Sequence, residues 1–511
     1  MSNDIDAALA LSRFGLGAKD GSLSAIQPDP RAALRREITE RALAMPAGPD
    51  LKSSAELLVE LFAYQKAQRL ERERKKTEAS GDKAKSGPAM AEMAKPEGGM
   101  EAGEMTRRRF LRPSMEKPAP GPGTGNKPAT GKAMADYKPQ LVYLAEVDAR
   151  FNGTIREPVV GFPERLAMFW ANHFAVAVNK GGEVRVTAGA FEREAIRPHL
   201  FGRFEDMLLA VESHPAMLAF LDNQQSIGPG SRAGARSKRG LNENLAREIL
   251  ELHTLGVNGG YSQRDVTSLS AIITGWTIAR GQQIARGQPL GPPGTFAFNP
   301  NTHEPGPQTV LGVSYPDRGV EQGRAALRAL ASHPATAKHL ALKLARHFVA
   351  DAPPPNLVAR LAETFARTRG DLSAIYLALI DSPEAWTPER RKIRSPQEYV
   401  VAMLRTSGER PRPQAIVGLL RALGQPLWNP SGPNGYADSV DAWASSEGLA
   451  TRIDAANLVA ASARGHGDPR NLVREALGPL LSPQTDQAMA RAEDRKQALS
   501  LAFLSPEFQR R

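Results

Sequence analysis

A carboxylate sits where a helix should be apolar. In the run Asn242-Glu-Asn-Leu-Ala-Arg-Glu-Ile-Leu-Glu-Leu-His-Thr-Leu-Gly256, the residues Leu245, Ile249, Leu252 and Leu255 recur at helical spacing, and at about 100° per residue Glu248 falls within their stripe. An ionised group carried into such a face needs a partner, because leaving it unpaired away from water costs on the order of several kcal/mol. Asn244 and Glu251 flank Glu248 at helical spacing, while Arg247 points to another sector of the wheel. A histidine interrupts a second apolar face: His173 stands among Leu166, Phe169, Trp170 and Ala177, next to Asn172. Asp222 and Asn223 end an apolar segment, Asn242 opens the glutamate-bearing helix, Trp276 ends the tripeptide Thr274-Gly-Trp276, and His303 and Glu304 occupy a Pro- and Gly-rich turn.

Brought together, Glu248, Asn244, Glu251, Asp222, His173 and His303 would form a polar pocket. Oxygen ligands favour a hard cation, whereas two histidines with a carboxylate accommodate zinc, manganese or iron. Metal-assisted hydrolysis is the enzymatic reading, with a divalent metal on His173, Glu248 and His303 and with Glu248 as ligand or base. The same residues support a binding or scaffold protein. A core histidine usually satisfies a carbonyl or carboxylate, Asp222 and Asn223 can cap a helix, and turn residues such as His303 and Glu304 are mostly solvated, although loops on a rigid scaffold often carry function. The sequence has no Gly-rich phosphate loop, His-Glu-x-x-His helix, Gly-x-Ser-x-Gly elbow or dinucleotide fingerprint. Familiar enzyme classes are therefore not indicated, and binding leads with hydrolysis as the alternative.

Helices must position these groups. Asn242 suits an N-cap, Gly256 a left-handed stop, and Ser262 with Asp265 a capping-box restart. Pro163 suits the first turn of a helix over 163–178 that carries His173. Residues 30–43, 54–75 and 187–198 also read as helices, as do about 320–332, 334–349, 357–368, 372–381, 396–407, 413–423, 441–463, 470–481 and 486–503, each bounded by Pro, Gly, Ser or Asp. Strand signals occur only over 295–312, as two short strands around a turn. The loop 423–436 sets Trp428 and Tyr436 among Gly and Pro; such aromatics either seal a core edge or line a binding groove. The expected fold is mainly α, a multi-helical array with one short hairpin-like segment. It is read as a single domain over 1–511, divisible into a motif-bearing core at 137–315 and a helical part at 316–511.

At 511 residues and 41% hydrophobic content the chain can bury substantial cores. Having no cysteine, it has no disulfide, thiolate metal site or cysteine nucleophile. The net charge is +11 and the isoelectric point near 9.8, but between Lys66 and Lys132 alone 16 Lys and Arg stand against 9 Asp and Glu. Within that stretch, 78–135 is Lys, Glu, Ala, Gly, Pro and Met with hardly an aromatic, and reads as a disordered low-complexity insertion. Charge concentrated in a solvated linker argues against a nucleic-acid partner. The N-terminus lacks a basic and apolar leader pattern, and no apolar run reaches about 18 residues, so the expectation is a cytoplasmic protein without a membrane span.

Seven segments occur in a characteristic order: Arg13-Phe-Gly-Leu-Gly-Ala18, Phe169-Trp-Ala-Asn-His-Phe174, Leu221-Asp-Asn223, the central run from Asn242 to Gly256, Thr274-Gly-Trp276, His303-Glu-Pro-Gly and Leu423-Gly-Gln-Pro-Leu-Trp428. Together they resemble the bacterial domain-of-unknown-function family numbered 1800, across nearly the whole chain outside the insertion. The resemblance implies a mainly α-helical fold and no defined mechanism. It also implies a partner, since members of that family accompany a sulfatase-like family that is commonly exported, which leaves the compartment open. The chain departs from the family pattern at Glu304 and Gln308, where His-Asp and then a Lys are usual, and the missing Lys weakens any phosphate-clamping role.

Overall fold

The computed structural model describes residues 2–43, 45–83, 138–156, 159–237, 239–281, 284–285, 288–463 and 467–511. It divides into two compact units, one of Met1–Leu61 with Lys138–Arg511 and one of Phe62–Tyr137. The insertion expected at 78–135 lies outside the described residues from position 84 onward.

The fold is mainly α. Helices α1 (Ser2–Leu9), α2 (Ser22–Ile26), α3 (Pro30–Thr39) and α4 (Ser54–Lys83) precede the undescribed stretch. After it come α5 (Pro139–Arg156), α6 (Phe162–His173), α7 (Gly182–Phe191), α8 (Phe204–Ser213), α9 (Pro215–Phe220), α10 (Asn244–Glu248) and α11 (Gln263–Ile272). The C-terminal part holds α12 (Val320–Ala331), α13 (Pro334–Phe348), α14 (Pro355–Arg367), α15 (Leu372–Asp381), α16 (Pro396–Ser407), α17 (Pro413–Ala422), α18 (Val440–Trp443), α19 (Ser446–Ser462), α20 (Pro469–Leu477), α21 (Pro483–Ala490), α22 (Arg495–Leu504) and α23 (Pro506–Gln509). Among the described residues no helix is long and apolar enough to cross a membrane.

Local chemistry explains where these helices start. Proline occupies the first turn of α3, α6, α13 and α16, where its missing N–H costs nothing. Ser262 with Asp265 and Ser395 with Glu398 close complete capping boxes. The tetrapeptide Ser-His-Pro-Ala occurs at 213–216 and again at 332–335, and each time the histidine Nδ1 accepts the backbone N–H two residues on, at 3.1 Å, to open α9 and α13. The span expected as one helix over 486–503 is two, because Asp494 caps α22 through the Gln497 amide. The span expected over 441–463 is likewise divided, Ser445 capping α19 through the Gly448 amide.

Three short antiparallel pairs stand beside the helices. Strand β1 (Trp276–Ile278) pairs with β4 (Phe296–Phe298), β2 (Ile284–Ala285) with β3 (Gln288–Pro289), and β5 (Gln308–Val310) with β6 (Val313–Tyr315). The two strands read from 295–312 are therefore present as β4 and β5 but do not pair with each other. Their connecting turn is bonded elsewhere: the Thr302 carbonyl accepts from Gly228, the Asn301 carbonyl from Ala233, and the Glu304 amide donates to Thr274 Oγ1. Left-handed Leu311 and Gly312, at φ +50° and +77°, suit the tight β5–β6 turn instead.

The core of the larger unit is built by α13 on α14, α19 on α22, and α5 on α7. Arg13 ties the N-terminus into it, donating to the carbonyls of Ala385, Thr387 and Glu389. Glu37 on α3 accepts from the backbone amides of Val160, Gly161 and Phe162 at 3.0–3.2 Å, and so fixes the start of α6. Carboxylate oxygens at a helix N-terminus are favourable both as acceptors and against the helix dipole.

Candidate ligand-binding cavity

The glutamate-bearing run is not one regular helix. After α10 the chain widens into a π-helical turn, Ile249–His253, and the Thr254 hydroxyl donates to the Ile249 carbonyl at 2.6 Å. Such turns carry one residue more than an α-turn and cluster at functional sites. The wider turn buries His253 and Thr254 and leaves Leu252 only half-buried, which undoes the regular wheel beyond Glu248. Its last two carbonyls face two other helices. His173 Nε2, at the end of α6, lies 3.2 Å from the His253 carbonyl, and His339 Nε2 on α13 lies 3.1 Å from that of Leu252. Gly256, at φ +85°, allows this approach, for a Cβ there would stand 2.7 Å from His339 Nδ1.

These contacts fix the His173 tautomer. With Nε2–H donating to the carbonyl, Nδ1 presents its lone pair, and Lys343 Nζ lies 2.9 Å away to donate into it. Burial, reinforced by the neighbouring Lys343 charge, holds His173 well below the usual imidazole range, so it is neutral. Burial also pushes Lys343 down to about 8, with Asp438 opposing and Arg346 assisting. His339 falls to about 4 for the same reasons, burial first and Lys343 next. Behind them His253 Nδ1 pairs with Glu212 at 2.8 Å.

Lys343 and His173 line a cavity of about 450 Å³ bounded by α6, α13, the start of α16 and the segment 425–439. The volume is that of a small-molecule site. Met168, Phe169, Val176, Leu427 and Trp428 supply apolar surface. Asn172 clamps the loop to α6, accepting the Tyr436 amide at 2.8 Å and donating to its carbonyl at 2.9 Å. Gly435 makes the clamp possible: at φ +71°, a Cβ would stand 2.3 Å from the Asn172 carbonyl oxygen.

Another part of the lining is dense in paired charge. Glu398 Oε1 lies 3.1 Å from Arg165 and its Oε2 2.8 Å from Arg511. Asp438 takes His347 Nδ1 at 2.6 Å and Lys392 at 3.2 Å, and Lys392 also reaches Asp351 at 2.6 Å. Burial alone would raise Glu398, yet Arg165 and Arg511 pull it down to about 2. Against the same burial, His347, Arg511 and Lys392 hold Asp438 well below the usual carboxylate range.

The residues singled out from sequence do not gather at one point. Of the expected polar-pocket residues, only His173 is among those that line this cavity. Glu248 is half-buried and, among the described residues, without a hydrogen-bond partner; burial raises its carboxyl, with Glu251 adding and His253 opposing. Asn244 is exposed. Arg247 joins Glu243 and Gln263, and Glu251 accepts from Tyr261. Asn242 donates to the Asp222 carbonyl and accepts the Asn244 amide, while Asp222 pairs with Lys180. Asn223 donates to the carbonyls of Ile273 and Trp276, and Trp276 packs on Phe296. His303 Nδ1 meets the Thr274 carbonyl at 2.9 Å, and Glu304 takes the Gly230 amide at 2.7 Å. Of Glu248, Asn244, Glu251, Asp222, His173 and His303, expected to converge in one pocket, the cavity lining takes in His173, while Glu251, Asp222 and His303 are bonded to other residues. Among the described residues no three His, Asp or Glu are grouped as a metal ion requires.

Sequence reasoning missed Lys343, Arg346, Glu398 and Asp438. A signal for the first was present: on α13, His339, Lys343 and His347 recur every fourth residue among Leu340, Leu344 and Phe348, a polar ladder of the kind read at Glu248. The loop 423–436 does line the cavity, through Gln425, Pro426, Leu427, Trp428, Pro430, Asn434 and Tyr436.

The fold is mainly helical, and its cavity is lined by Lys343, Arg346 and His173 together with Glu398, Asp438 and Asp351. The chain belongs to the DUF1800 family, described as proteins of unknown function, whose model matches residues 9–510. Neither curated proteins nor solved structures yield a match to it.

Proposed function

We propose that the protein binds a small anionic ligand in this cavity, with Lys343 and Arg346 as the anchoring cations. The observation that carries the reading is a local imbalance of charge. Glu398, Asp438 and Asp351 line the cavity but are taken by Arg165, Arg511, His347 and Lys392, and Arg150 is taken by Glu192 at 2.8–3.0 Å. Lys343 and Arg346, three residues apart on α13, line it too, and among the described residues neither has a carboxylate within ion-pairing distance; Arg346 donates only through Nε, to the Asp351 carbonyl. Two neighbouring cations with unused donors recognise an anion, each charge-assisted bond contributing about 1.5–3 kcal/mol.

A scaffold role beside an exported sulfatase-like partner rests on family resemblance alone. Metal-assisted hydrolysis would require ligands that the described residues do not group. Oxalate is a suitable probe for the cavity reading. Calorimetric titration should show saturable binding to the wild type that weakens at least tenfold in Arg346→Met; a flat wild-type titration at millimolar oxalate would sink the reading.

A further inference from the structure

We propose that Lys343 is a carbonyl-trapping amine, and that the ligand is a 2-oxo acid whose carbonyl carbon forms an imine with Lys343 while Arg346 holds the adjacent carboxylate. The proposal rests on the anion-binding reading and assigns its ligand class.

The hydrogen bonding at Lys343 fits a nucleophile better than a fixed charge. Lys392 is ion-paired, lying 2.6 Å from Asp351 and 3.2 Å from Asp438. Lys343 is instead held by the Nδ1 lone pair of a neutral imidazole. That bond persists when the proton leaves, because a neutral amine keeps two N–H donors and one of them still serves His173. The nitrogen lone pair is then free for attack. Apolar Met168, Phe169 and Val176 line the same cavity, and an apolar lining disfavours the charged form. Burial lowers Lys343 to about 8, so that at pH 7 roughly a tenth is amine, on the order of 10²-fold more than for a solvated lysine. Arg346, one turn along α13, offers the planar donor pair that a carboxylate takes.

The step needs neither oxidant nor reductant. The amine lone pair attacks the carbonyl carbon, the C=O π pair moves to oxygen, and the proton shed by nitrogen reaches that oxygen through solvent. The C–O bond of the carbinolamine then breaks as the nitrogen lone pair closes the C=N bond. Oxygen takes up a second proton and departs as one water.

Glyoxylate with cyanoborohydride tests this on the full chain, because reduction of the imine leaves a carboxymethyl group that peptide mass mapping locates. At pH 7 Lys343 should be labelled at least tenfold faster than exposed Lys338 on the same helix, and Lys392 should not be labelled. Lys343→Met and Lys343→Arg should lose the adduct. If both variants fail to fold, the wild-type ratio of Lys343 to Lys338 labelling decides alone. Labelling of Lys343 no faster than of Lys338 overturns the proposal. Oxalate binding without glyoxylate trapping would remove the imine and keep the anion site; absence of both would remove both.

Discussion

On one wall of the cavity three carboxylates, Glu398, Asp438 and Asp351, meet three cations, Arg165, Arg511 and Lys392; on the other, Lys343 and Arg346 pair with no carboxylate among the described residues. Both walls lie within a few residues of the same helix, for His347 on α13 belongs to the paired side and Lys343, one turn earlier, to the open side. Glu398, Arg165 and Arg511 are buried, whereas Lys343 is half-buried and Arg346 exposed. Compensation differs as well: Arg165 and Arg511 drive Glu398 to about 2 and hold it charged, whereas at Lys343 burial outweighs the opposing Asp438 charge and lowers the amine to about 8. The paired wall is built to hold the fold, and the open one keeps a cation at the edge of losing its proton.

Removing one partner from the paired wall should have the largest effect. Glu398→Gln strands Arg165 and Arg511 away from water and is expected to cost about 3–5 kcal/mol in urea unfolding. Because the folded-state value of Glu398 is depressed, its contribution is present above about 4.3, the ordinary unfolded value, and is lost as pH falls toward 2. A cost below about 1 kcal/mol would show that the network is replaceable by solvent. Gly435→Ala attacks the clamp that carries the loop toward Asp438. Left-handed strain and the clash with the Asn172 carbonyl should together cost about 1–3 kcal/mol and speed hydrogen exchange at the Tyr436 amide; unchanged exchange would mean that the loop is held elsewhere.

The smallest effect should have the opposite sign. Lys343→Met replaces a half-buried cation that, among the described residues, has no ion-pair partner, and is expected to stabilise the protein at pH 7 by about 1–2 kcal/mol. The gain should shrink as pH rises through about 8, since the folded wild type then sheds the proton that its unfolded chain keeps until about 10.4. A gain that stays constant between pH 7 and 10 would place the Lys343 value outside that window and erase the contrast between the walls.

Much of the helical array was legible because its boundaries are written in short-range chemistry. Ser262 with Asp265, Ser395 with Glu398 and the prolines in first turns act within four residues of themselves. The strand pairings were not legible, because β4 and β5 find partners through a turn bonded to residues 228, 233 and 274. His173 was found because it breaks an apolar face, and its neighbour Asn172 proved to hold the cavity loop. The wheel drawn around Glu248 assumed a regular helix through Gly256, whereas the π-turn at Ile249–His253 changes the facing of the residues beyond Glu248; Asp222 and His303 lie on other segments with bonds of their own. The charged wall was invisible because Glu398, Asp438 and Arg511 come from separate parts of the sequence and meet only in the fold.

That π-turn constrains the chain in length as well as in composition. Its surplus residue sets the angle at which the Leu252 and His253 carbonyls emerge, and His339 and His173 are hooked to those two oxygens. A chain one residue shorter there would close into an ordinary α-turn and swing both oxygens aside. His173 would then be free to turn its proton toward Lys343 instead of its lone pair, so a single deletion that removes no cavity side chain would reverse the polarity of the hydrogen bond on which the amine depends.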